Sequence, residues 1–332
     1  MKFGPVPVAE AEGAILAHSI RLPGGRLRKG IWLDRSHLGQ LAEAGHDTVV
    51  VARLDPGDMH EDEAARAVAD ALRDGCDALR ASEPFTGRVN LIADWPGVVR
   101  INADAIHAAN MIDPALTVAT VAHFHQIHPG GMVATVKVIP YAVSKNAVSE
   151  ASATLRGALS VLPPVHGSAS LIITETPGGP GSKGETAIRD RLQGLGMALA
   201  ETVTCVHETE ALAACITKAQ GDIVLVLTGS ATSDEGDTAP AALRQAGGEL
   251  ERFGMPVDPG NLLFLGRLGD KPVIGLPGSA RSPVLHGADW ILSRVACGVE
   301  VTGQDIARMG VGGLLKEIPT RPQPRRGRSV GG

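Results

Sequence analysis

The second half of the chain alternates short apolar runs with segments in which apolar residues recur every three or four positions. The runs SASLIIT, DIVLVLTG and KPVIGLPG are typical of buried strands. Helical spacing follows in GETAIRDRLQGLG, TEALAACITKAQ, TAPAALRQAG and SPVLHGADWILSRVACG. Fully apolar strands that alternate with helices predict a mostly parallel sheet covered on both faces, an α/β/α domain of three layers, over residues 161–300.

The beginning of the chain has shorter and more mixed patterns. Pro23-Gly24-Gly25 is a predicted turn between two short strands. Asp34 or Ser36 can cap a helix that Gly45 ends, and a buried strand follows at Thr48–Val51. This part of the chain is therefore expected to be a mixed α+β region.

The pattern continues with a helix over 61–79, strands over 87–143 and a helix over 149–159. The segment SVLPPVHGSAS, with two prolines and a glycine between patterned segments, is the predicted domain boundary, so the α+β region is residues 1–160. Residues 301–332 are predicted to be a C-terminal extension that is disordered at its end.

Composition narrows the class of protein. The chain has 332 residues, 44% of them hydrophobic, with a formal net charge of -5, as in an ordinary globular protein of two domains. Its mild acidity and 3% aromatic content argue against a nucleic-acid partner. The four cysteines form no C-x-x-C pair and are expected to be reduced. No run reaches the roughly 18 apolar residues of a membrane span, so we expect a cytoplasmic protein without a membrane partner.

The first candidate site is a glycine-rich loop at residues 176–184, the glycine loop, within IITETPGGPGSKGETAI. Lys183 precedes Gly184 there, so the G-x-x-x-x-G-K-[ST] order of a P-loop is absent. Glu175 and Glu185 flank the loop, and each can face a ligand or water. A flexible surface loop is the alternative interpretation.

The second candidate is TGSATSDEGD at residues 228–237, the acidic loop, directly after a buried strand. Its small and hydroxyl residues, Thr228, Gly229, Ser230, Thr232 and Ser233, can form an anion-binding turn. The carboxylates that follow, Asp234, Glu235 and Asp237, could hold Mg²⁺, which would neutralise a bound phosphate. Alternatively, Asp237 or Thr238 simply caps the next helix.

The third candidate is the turn within VIGLPGSARSPVLHGADWIL, whose residues 277–286 we call the proline loop. Ser282-Pro283 is predicted to start the next helix as its cap and first-turn proline. Because ligands bind beyond the carboxyl ends of parallel strands, this loop and the acidic loop could share one crevice, with Arg281 as its cation.

A histidine cluster is a separate candidate. His123, His125 and His128 lie close together in HFHQIH and could ligate a transition metal. No acidic or thiol partner has a recognisable spacing nearby, so hydrogen-bonded or exposed histidines are favoured.

The acidic and proline loops, with the strands and helices around them, resemble the molybdopterin-binding domain of molybdenum-cofactor biosynthesis proteins. This family includes MoeA-type molybdotransferases and MogA/MoaB-type adenylyltransferases. TGSATSDEGD is similar to the family's T-G-G-x-S-x-G-x-x-D, matching at Thr228, Gly229 and Asp237. Ser230 and Asp234 stand in place of glycines.

The proline loop and the N-terminal region place the resemblance on the MoeA side. IGLPGSARSP is similar to the MoeA-type GLPGNPVS, matching at Gly275–Gly278 and carrying Ser279 in place of asparagine. VPVAEAEGAILAHSI looks like the MoeA opening helix, and the resemblance continues to residue 52. The MoeA-type S-x-M-D-G-Y-A segment is missing between Ile20 and Arg26.

The resemblance implies a MogA-like fold and binding of molybdopterin or adenylylated molybdopterin. It implies that Thr228–Ser230 bind the phosphate and that Gly278–Ser282, including Ser279 and Arg281, form the far wall. The other substrate-binding residues that it implies are Thr232, Ser233, Gly275 and Pro277. Catalytic roles fall to Asp237 and Glu175, and Asp237, Asp234 and Glu235 are the expected Mg²⁺ ligands.

The reaction that this resemblance implies is MoeA-like transfer of molybdate. The alternatives are adenylyl transfer from ATP, a non-catalytic carrier of molybdopterin, and an unrelated nucleotide-binding α/β protein. A molybdenum-cofactor nucleotidyltransferase or a molybdoenzyme is the expected protein partner, and a homo-oligomer is the expected assembly.

Overall fold

A computed structural model describes residues 1–315, and the predicted disordered tail lies outside them. The chain forms two compact units. The first contains Met1–Trp95 and Val99–Leu162, and the second contains Pro96–Val98 and, of the described residues, 163–315.

The first unit consists of short strands and helices. Its strands are β1 (Lys2–Pro7), β2 (Ile15–Leu16), β3 (Ile20–Leu22), β4 (Gly25–Leu27), β5 (Thr48–Arg53), β6 (Asp58–His60), β7 (Leu79–Ala81), β8 (Arg88–Ala93), β9 (Gly97–Ile101), β10 (Leu116–Thr120), β11 (His125–Ile127), β12 (Met132–Val138), β13 (Ala142–Ser144) and β14 (Leu159–Leu162). Its helices are α1 (Arg35–Glu43), α2 (Glu61–Leu72), α3 (Ala103–Ile112) and α4 (Lys145–Leu155).

The N-terminal residues form an antiparallel sheet of order β1-β5-β2 and a β3-β4 hairpin. Asp34 caps α1 by accepting a hydrogen bond from the His37 backbone N–H at 2.9 Å, as the sequence predicted. The predicted opening helix is wrong. The chain begins with β1, and the helical turn that follows is a short 3-10 helix at Val8–Glu10, because Pro5 and Pro7 favour extended backbone.

In the rest of the first unit, α2 packs on a sheet of order β10-β12-β8-β7, and α4 packs against α2 and α3. The helix predicted over 61–79 ends at Leu72, because Gly75 takes a positive φ of 75° and turns the chain toward β7. The helix predicted over 149–159 begins at Lys145 and ends at Leu155, and α3 interrupts the predicted strand region.

The second unit is built around one sheet. Its strands are β15 (Ser168–Glu175), β16 (Ala198–Val206), β17 (Ile223–Leu227), β18 (Glu249–Phe253), β19 (Phe264–Leu268) and β20 (Lys271–Leu276). Its helices are α5 (Glu185–Gly194), α6 (Thr209–Lys218), α7 (Thr238–Gln245), α8 (Gly287–Ala296) and α9 (Gly303–Ala307), with short 3-10 helices at Gly278–Arg281 and Arg308–Gly310.

The sheet has the order β16-β15-β17-β20-β19-β18. β16, β15, β17 and β20 run parallel, and β19 and β18 are antiparallel additions at one edge. The mostly parallel α/β architecture predicted from the apolar runs is thereby confirmed. β16 was not predicted, because its edge position leaves it only partly buried and its sequence ALAETVTCV carries polar residues.

The two faces of this sheet pack against different helices. Alternate residues of each central strand point to opposite faces, so each face contributes to a separate core. One core contains side chains of α5 and α8 with the strand residues Leu171, Ile173, Leu225, Leu227, Ile274 and Leu276. The other contains side chains of α6 and α7 with Ile172, Val224, Val226 and Val273.

The described part of the C-terminal extension is part of the second unit. Val301, Ile306 and Met309 are buried in the core that contains α8. Thr302 caps the short helix α9 by accepting the Asp305 backbone N–H at 3.2 Å. Among residues 1–315, no helix is long and apolar enough to cross a membrane.

Candidate functional site

Three loops meet at the carboxyl edge of the parallel strands. β15, β17 and β20 are neighbours that run in the same direction and end at Glu175, Leu227 and Leu276. The glycine loop follows β15, the acidic loop follows β17 and the proline loop follows β20. The predicted site residues are therefore brought to one edge, which we call the crevice.

Arg281 joins the three loops. From the proline loop its guanidinium donates to the carbonyls of Gly181 at 3.1 Å and of Lys183 in the glycine loop, and to the Thr228 carbonyl at 3.0 Å in the acidic loop. Gly184 has a positive φ of 108°, and a Cβ there would lie 2.8 Å from the Arg281 side chain. Burial lowers the pKa of Arg281. The residue predicted to be the ligand's cation is thus a clamp on backbone carbonyls.

The acidic loop begins with a close approach to β15. The Gly229 N–H donates to Thr174 Oγ1 at 2.9 Å, and a Cβ on Gly229 would lie 2.6 Å from the Thr174 carbonyl oxygen. Thr174 Oγ1 also lies 2.7 Å from His207 Nδ1. The backbone N–H of His207 donates to the Glu175 carbonyl at 2.9 Å. Neither Thr174 nor His207 was predicted to belong to the site. His207 follows β16, a strand that was itself not predicted.

Asp237 is the N-cap of α7. Its Oδ1 accepts the Thr238 N–H at 2.7 Å, and its Oδ2 accepts the Ser233 N–H at 3.0 Å. The Ser233 hydrogen bond is the largest cause that lowers the pKa of Asp237, with smaller contributions from Thr238 and the charge of His207. The capping role that the sequence left open is therefore present in the structure.

The other carboxylates of the acidic loop are exposed. Asp234 Oδ1 accepts the Gly236 N–H at 2.7 Å, as in a local turn, and Glu235 accepts from Arg244 through its backbone carbonyl. Within residues 1–315, no three His, Cys, Asp or Glu side chains are grouped in a way that could hold a metal ion. The Mg²⁺ site stays a prediction, and no step below is assigned to a metal.

The proline loop is organised by a buried histidine. His286 is 1% exposed, and its Nδ1 accepts the Ala288 N–H at 3.0 Å, so His286 caps α8. The predicted start of this helix at Ser282-Pro283 is wrong, because Ser282 is extended and the helix begins at Gly287. Burial, with a smaller effect of Arg191, lowers the pKa of His286 to about 4. Its Nε2 lies 2.7 Å from Ser279 Oγ.

Arg191, on α5, fixes the backbone of the same loop. Its guanidinium donates to the carbonyls of Ala280 at 2.9 Å and Ser282 at 2.8 Å, and its Nε donates to Asp289 at 2.5 Å. Arg191 was also missed, because a basic residue within a helix looks in sequence like a solvent-exposed position.

The predicted binding residues differ in accessibility. The exposed ones are Glu175, Ser230, Ser233, Asp234, Glu235, Gly278, Ser279 and Ser282. The buried ones are Thr228, Thr232, Gly275 and Pro277, while Gly229, Asp237 and Arg281 are half-buried. Gly275 faces the core, where an added Cβ would lie 2.0 Å from the Phe264 ring. The buried and half-buried residues therefore shape the loops, and the exposed residues are available to a ligand.

The histidine cluster is placed in the first unit. His123 Nδ1 accepts the Ile101 N–H at 3.0 Å, and its ring lies 3.9 Å from that of Phe124. His125 begins β11. In the described part of the chain these residues form no metal-binding group, and His123 has the hydrogen-bonded role that the sequence favoured.

Comparison with protein families gives a match at the N-terminus. The family described as a domain of unknown function (DUF8806) matches residues 5–53. This segment contains α1, the β3-β4 hairpin and most of the β1-β5-β2 sheet, and it lies outside the crevice. No curated protein matches the chain.

The solved structures that are similar to the chain include two proteins of molybdenum cofactor biosynthesis. One is the molybdopterin biosynthesis MoeA protein from Pyrococcus horikosii, with 16% identity over 83% of this chain and 70% of that chain and a TM-score of 0.28. The other is a molybdenum cofactor biosynthesis protein from Pyrococcus furiosus, with 12% identity over 90% of this chain and a TM-score of 0.24. This chain covers 65% of the second protein, less than two thirds of its length. Both TM-scores are low, and the α/β/α architecture is established by the strand order and cores of this chain.

Proposed function

We propose that this chain binds molybdopterin, or its adenylylated form, in molybdenum cofactor biosynthesis and transfers molybdate to it. The observation that carries the proposal is the meeting of three loops at the carboxyl edge of β15, β17 and β20, where Arg281 clamps them together. Such an edge is the usual ligand site of an open α/β sheet.

The exposed groups of the crevice suit a ligand with a phosphate and a polar ring. Ser230, Ser233, Ser279 and Ser282 offer hydroxyl groups, and the glycine loop offers backbone N–H groups. Arg281 does not provide the charge for the phosphate, because its donors are directed to carbonyls. The ligand is therefore held by hydrogen bonds from hydroxyl and backbone groups around its phosphate.

The sequence resemblance supplies the identity of the ligand. The matching positions of the two motifs, among them Thr228, Gly229 and Gly278, lie in loops that share the crevice. The position of these motifs therefore agrees with a pterin phosphate at this edge. Molybdate is the second substrate in this proposal, and AMP leaves when the ligand is adenylylated.

A non-catalytic carrier of molybdopterin is the second candidate. The observation that favours it is the state of the carboxylates: Asp237 accepts backbone N–H groups on both oxygens, and Asp234 is part of a turn. The absence of the S-x-M-D-G-Y-A segment between Ile20 and Arg26 also favours a non-catalytic carrier. Binding without turnover is the outcome that this candidate predicts.

The test uses the purified protein in two incubations under anaerobic conditions. The first contains molybdopterin, Mg²⁺ and ATP, and the second contains adenylylated molybdopterin, Mg²⁺ and molybdate. AMP release and formation of molybdenum cofactor are measured in the second, and adenylylated product in the first. AMP release with cofactor formation is the expected result.

The other outcomes separate the alternatives. Adenylylated product in the first incubation would assign adenylyl transfer in place of molybdate transfer. Saturable binding without product in either incubation would identify a carrier. No binding of either pterin would overturn the proposal.

A further inference from the structure

Ser279 and His286 form a hydrogen-bonded pair whose polarity is set by the backbone. Nδ1 of His286 accepts the Ala288 N–H at 3.0 Å, so this nitrogen carries no proton. The proton of the neutral ring is therefore on Nε2, which lies 2.7 Å from Ser279 Oγ. His286 consequently donates to the serine oxygen, the reverse of the arrangement in which a histidine acts as the base for a serine nucleophile.

This polarity determines what the hydroxyl can do. A serine oxygen has lone pairs for accepting and one O–H for donating. Ser279 is exposed, and within residues 1–315 its side chain has the hydrogen bond to His286 and no other. With the imidazole N–H occupying a lone pair, the O–H remains available to donate to a ligand. The group offered to the crevice is therefore a hydrogen-bond donor.

The pair keeps this polarity over a wide pH range. The charged groups around His286 are Arg191, whose charge lowers the pKa of the imidazole, and Asp258, whose charge raises it, while Asp289 accepts the His286 backbone N–H. Burial has the largest effect, and the resulting pKa of His286 is about 4. The imidazole is neutral at neutral pH, so it adds no cation to the site. Because its Nε2 carries the proton, it cannot act as a base for Ser279.

We infer that Ser279 is a ligand-binding donor for an anionic oxygen of a phosphate monoester, and that His286 is its positioning residue. The inference rests on the proposed function for the location of the ligand, and it adds the chemistry of one contact. Arg191 supports it by donating to the carbonyl of Ala280, within the 3-10 helix that carries Ser279, and to the carbonyl of Ser282, directly after that helix. The geometry thus fixes both the backbone and the hydroxyl of this residue.

An isosteric pair of variants tests the donor directly. Ser279→Thr keeps a hydroxyl, and Ser279→Val has the shape of the threonine side chain without the hydroxyl. Affinity for molybdopterin, and separately for inorganic phosphate as a simple probe, is measured anaerobically by titration calorimetry. Ser279→Thr is expected to bind close to wild type, and Ser279→Val to bind about ten- to a hundred-fold more weakly, as expected for one hydrogen bond to a charged group.

The positioning role of His286 has its own readout. In protein labelled with ¹⁵N-histidine, the His286 resonances, assigned by their loss in His286→Gln, should show a neutral ring protonated at Nε2 from pH 5.5 to pH 8.5. A ring protonated at Nδ1, or one that titrates in this range, would overturn the inference. His286→Gln can also donate to Ser279 from its amide, so it should retain more affinity than His286→Leu.

The binding measurements distinguish a failure of the Ser279 inference from a failure of the proposed function. Equal binding of molybdopterin by the valine and threonine variants would overturn the role of Ser279 and leave molybdopterin binding intact. Binding of phosphate that depends on the Ser279 hydroxyl, without binding of molybdopterin, would support the donor and overturn the proposed function. No binding of either molecule to the wild-type protein would overturn both.

Discussion

The two edges of the sheet in the second unit use similar residues for opposite purposes. At the amino ends of β15 and β17, Asp222 Oδ2 accepts the Gly167 N–H at 2.9 Å, the Ser168 N–H at 2.9 Å and the Ser168 hydroxyl at 3.1 Å. Ser170 Oγ donates to Glu201 at 2.7 Å and accepts the Gly221 N–H at 2.8 Å. These serine and carboxylate groups are hydrogen-bonded to one another and to the protein's own backbone.

At the carboxyl edge, arginines bind the backbone carbonyls and leave the hydroxyl groups exposed. Arg281 and Arg191 both donate to loop carbonyls, whereas Ser230, Ser233 and Ser279 are exposed. The comparison teaches that residue type alone does not identify a binding edge. The distinction lies in which groups the protein satisfies by itself and which it leaves for a ligand.

The largest expected effect concerns two nearby glycines, one in β20 and one in the turn that follows it. At Gly275 an added Cβ would lie 2.0 Å from the Phe264 ring, whereas at Gly278 there is nothing within 4 Å. Gly275→Ala is expected to lower the free energy of unfolding by about 3 kcal/mol, the upper end of the usual cost of overpacking. Gly278→Ala is expected to change it by less than about 0.5 kcal/mol. Urea unfolding measures both, and similar values for the two variants would contradict the assignment of Gly275 to the core.

The clamp at the carboxyl edge can be removed with Arg281→Ala. Loss of its hydrogen bonds to the glycine loop and to Thr228 is expected to cost about 1–3 kcal/mol and to increase amide exchange in both loops. Lys183→Ala is the control, because it keeps the backbone carbonyl that Arg281 binds. Hydrogen exchange measured by mass spectrometry that is unchanged in Arg281→Ala would show that the loops are held by other contacts.

A smaller effect is expected at the cap of α7. Asp237→Ala should lower the free energy of unfolding by about 1 kcal/mol, because the Thr238 and Ser233 N–H groups lose their acceptor. Asp237→Asn keeps one capping oxygen and replaces the other with an NH₂ donor, so its thermal stability should lie between those of the wild type and Asp237→Ala. If Asp237→Asn loses ligand binding at a temperature at which it is fully folded, the carboxylate charge contacts the ligand. If stability falls equally in both variants, the cap is not the cause.

The smallest effect belongs to the amino edge, and it is a change in how stability depends on pH in acid. The Gly167 N–H is the largest cause that lowers the pKa of Asp222, and the Ser168 hydroxyl is the next. A carboxyl group whose pKa is lower in the folded state adds stability above its unfolded value of about 3.9, and this is lost as the pH falls through the folded value. Asp222→Asn should therefore flatten the loss of stability below about pH 4. Unfolding curves at pH 3 and pH 6 that shift equally in both proteins would contradict this.

The strands that carry the crevice could be predicted because they are fully apolar. β15, β17 and β20 are buried on both faces, so their sequences have no alternation and end abruptly at polar loops. β16 could not be predicted in the same way, because an edge strand tolerates polar residues. The position of His207, directly after β16, could therefore not be predicted either. The sequence located the three loops, and it could not show their hydrogen bonds.

The arginines show why the site was only partly predictable. Arg281 was expected to be a cation for the ligand, and the structure directs it to three backbone carbonyls. Likewise, a proline after a serine is a common helix start, but His286 provides a better cap several residues later. Both outcomes depend on partners far away in sequence or on backbone geometry, which local patterns do not record.

The measurement that tests the central claim most directly is amide hydrogen exchange with and without molybdopterin, under anaerobic conditions. The claim predicts protection of the glycine, acidic and proline loops, at residues 176–184, 228–237 and 277–286. It predicts no change at the amino edge, at residues 166–170 and 219–223. Protection confined to the amino edge, or to the first unit, would contradict the assignment of the crevice as the molybdopterin site.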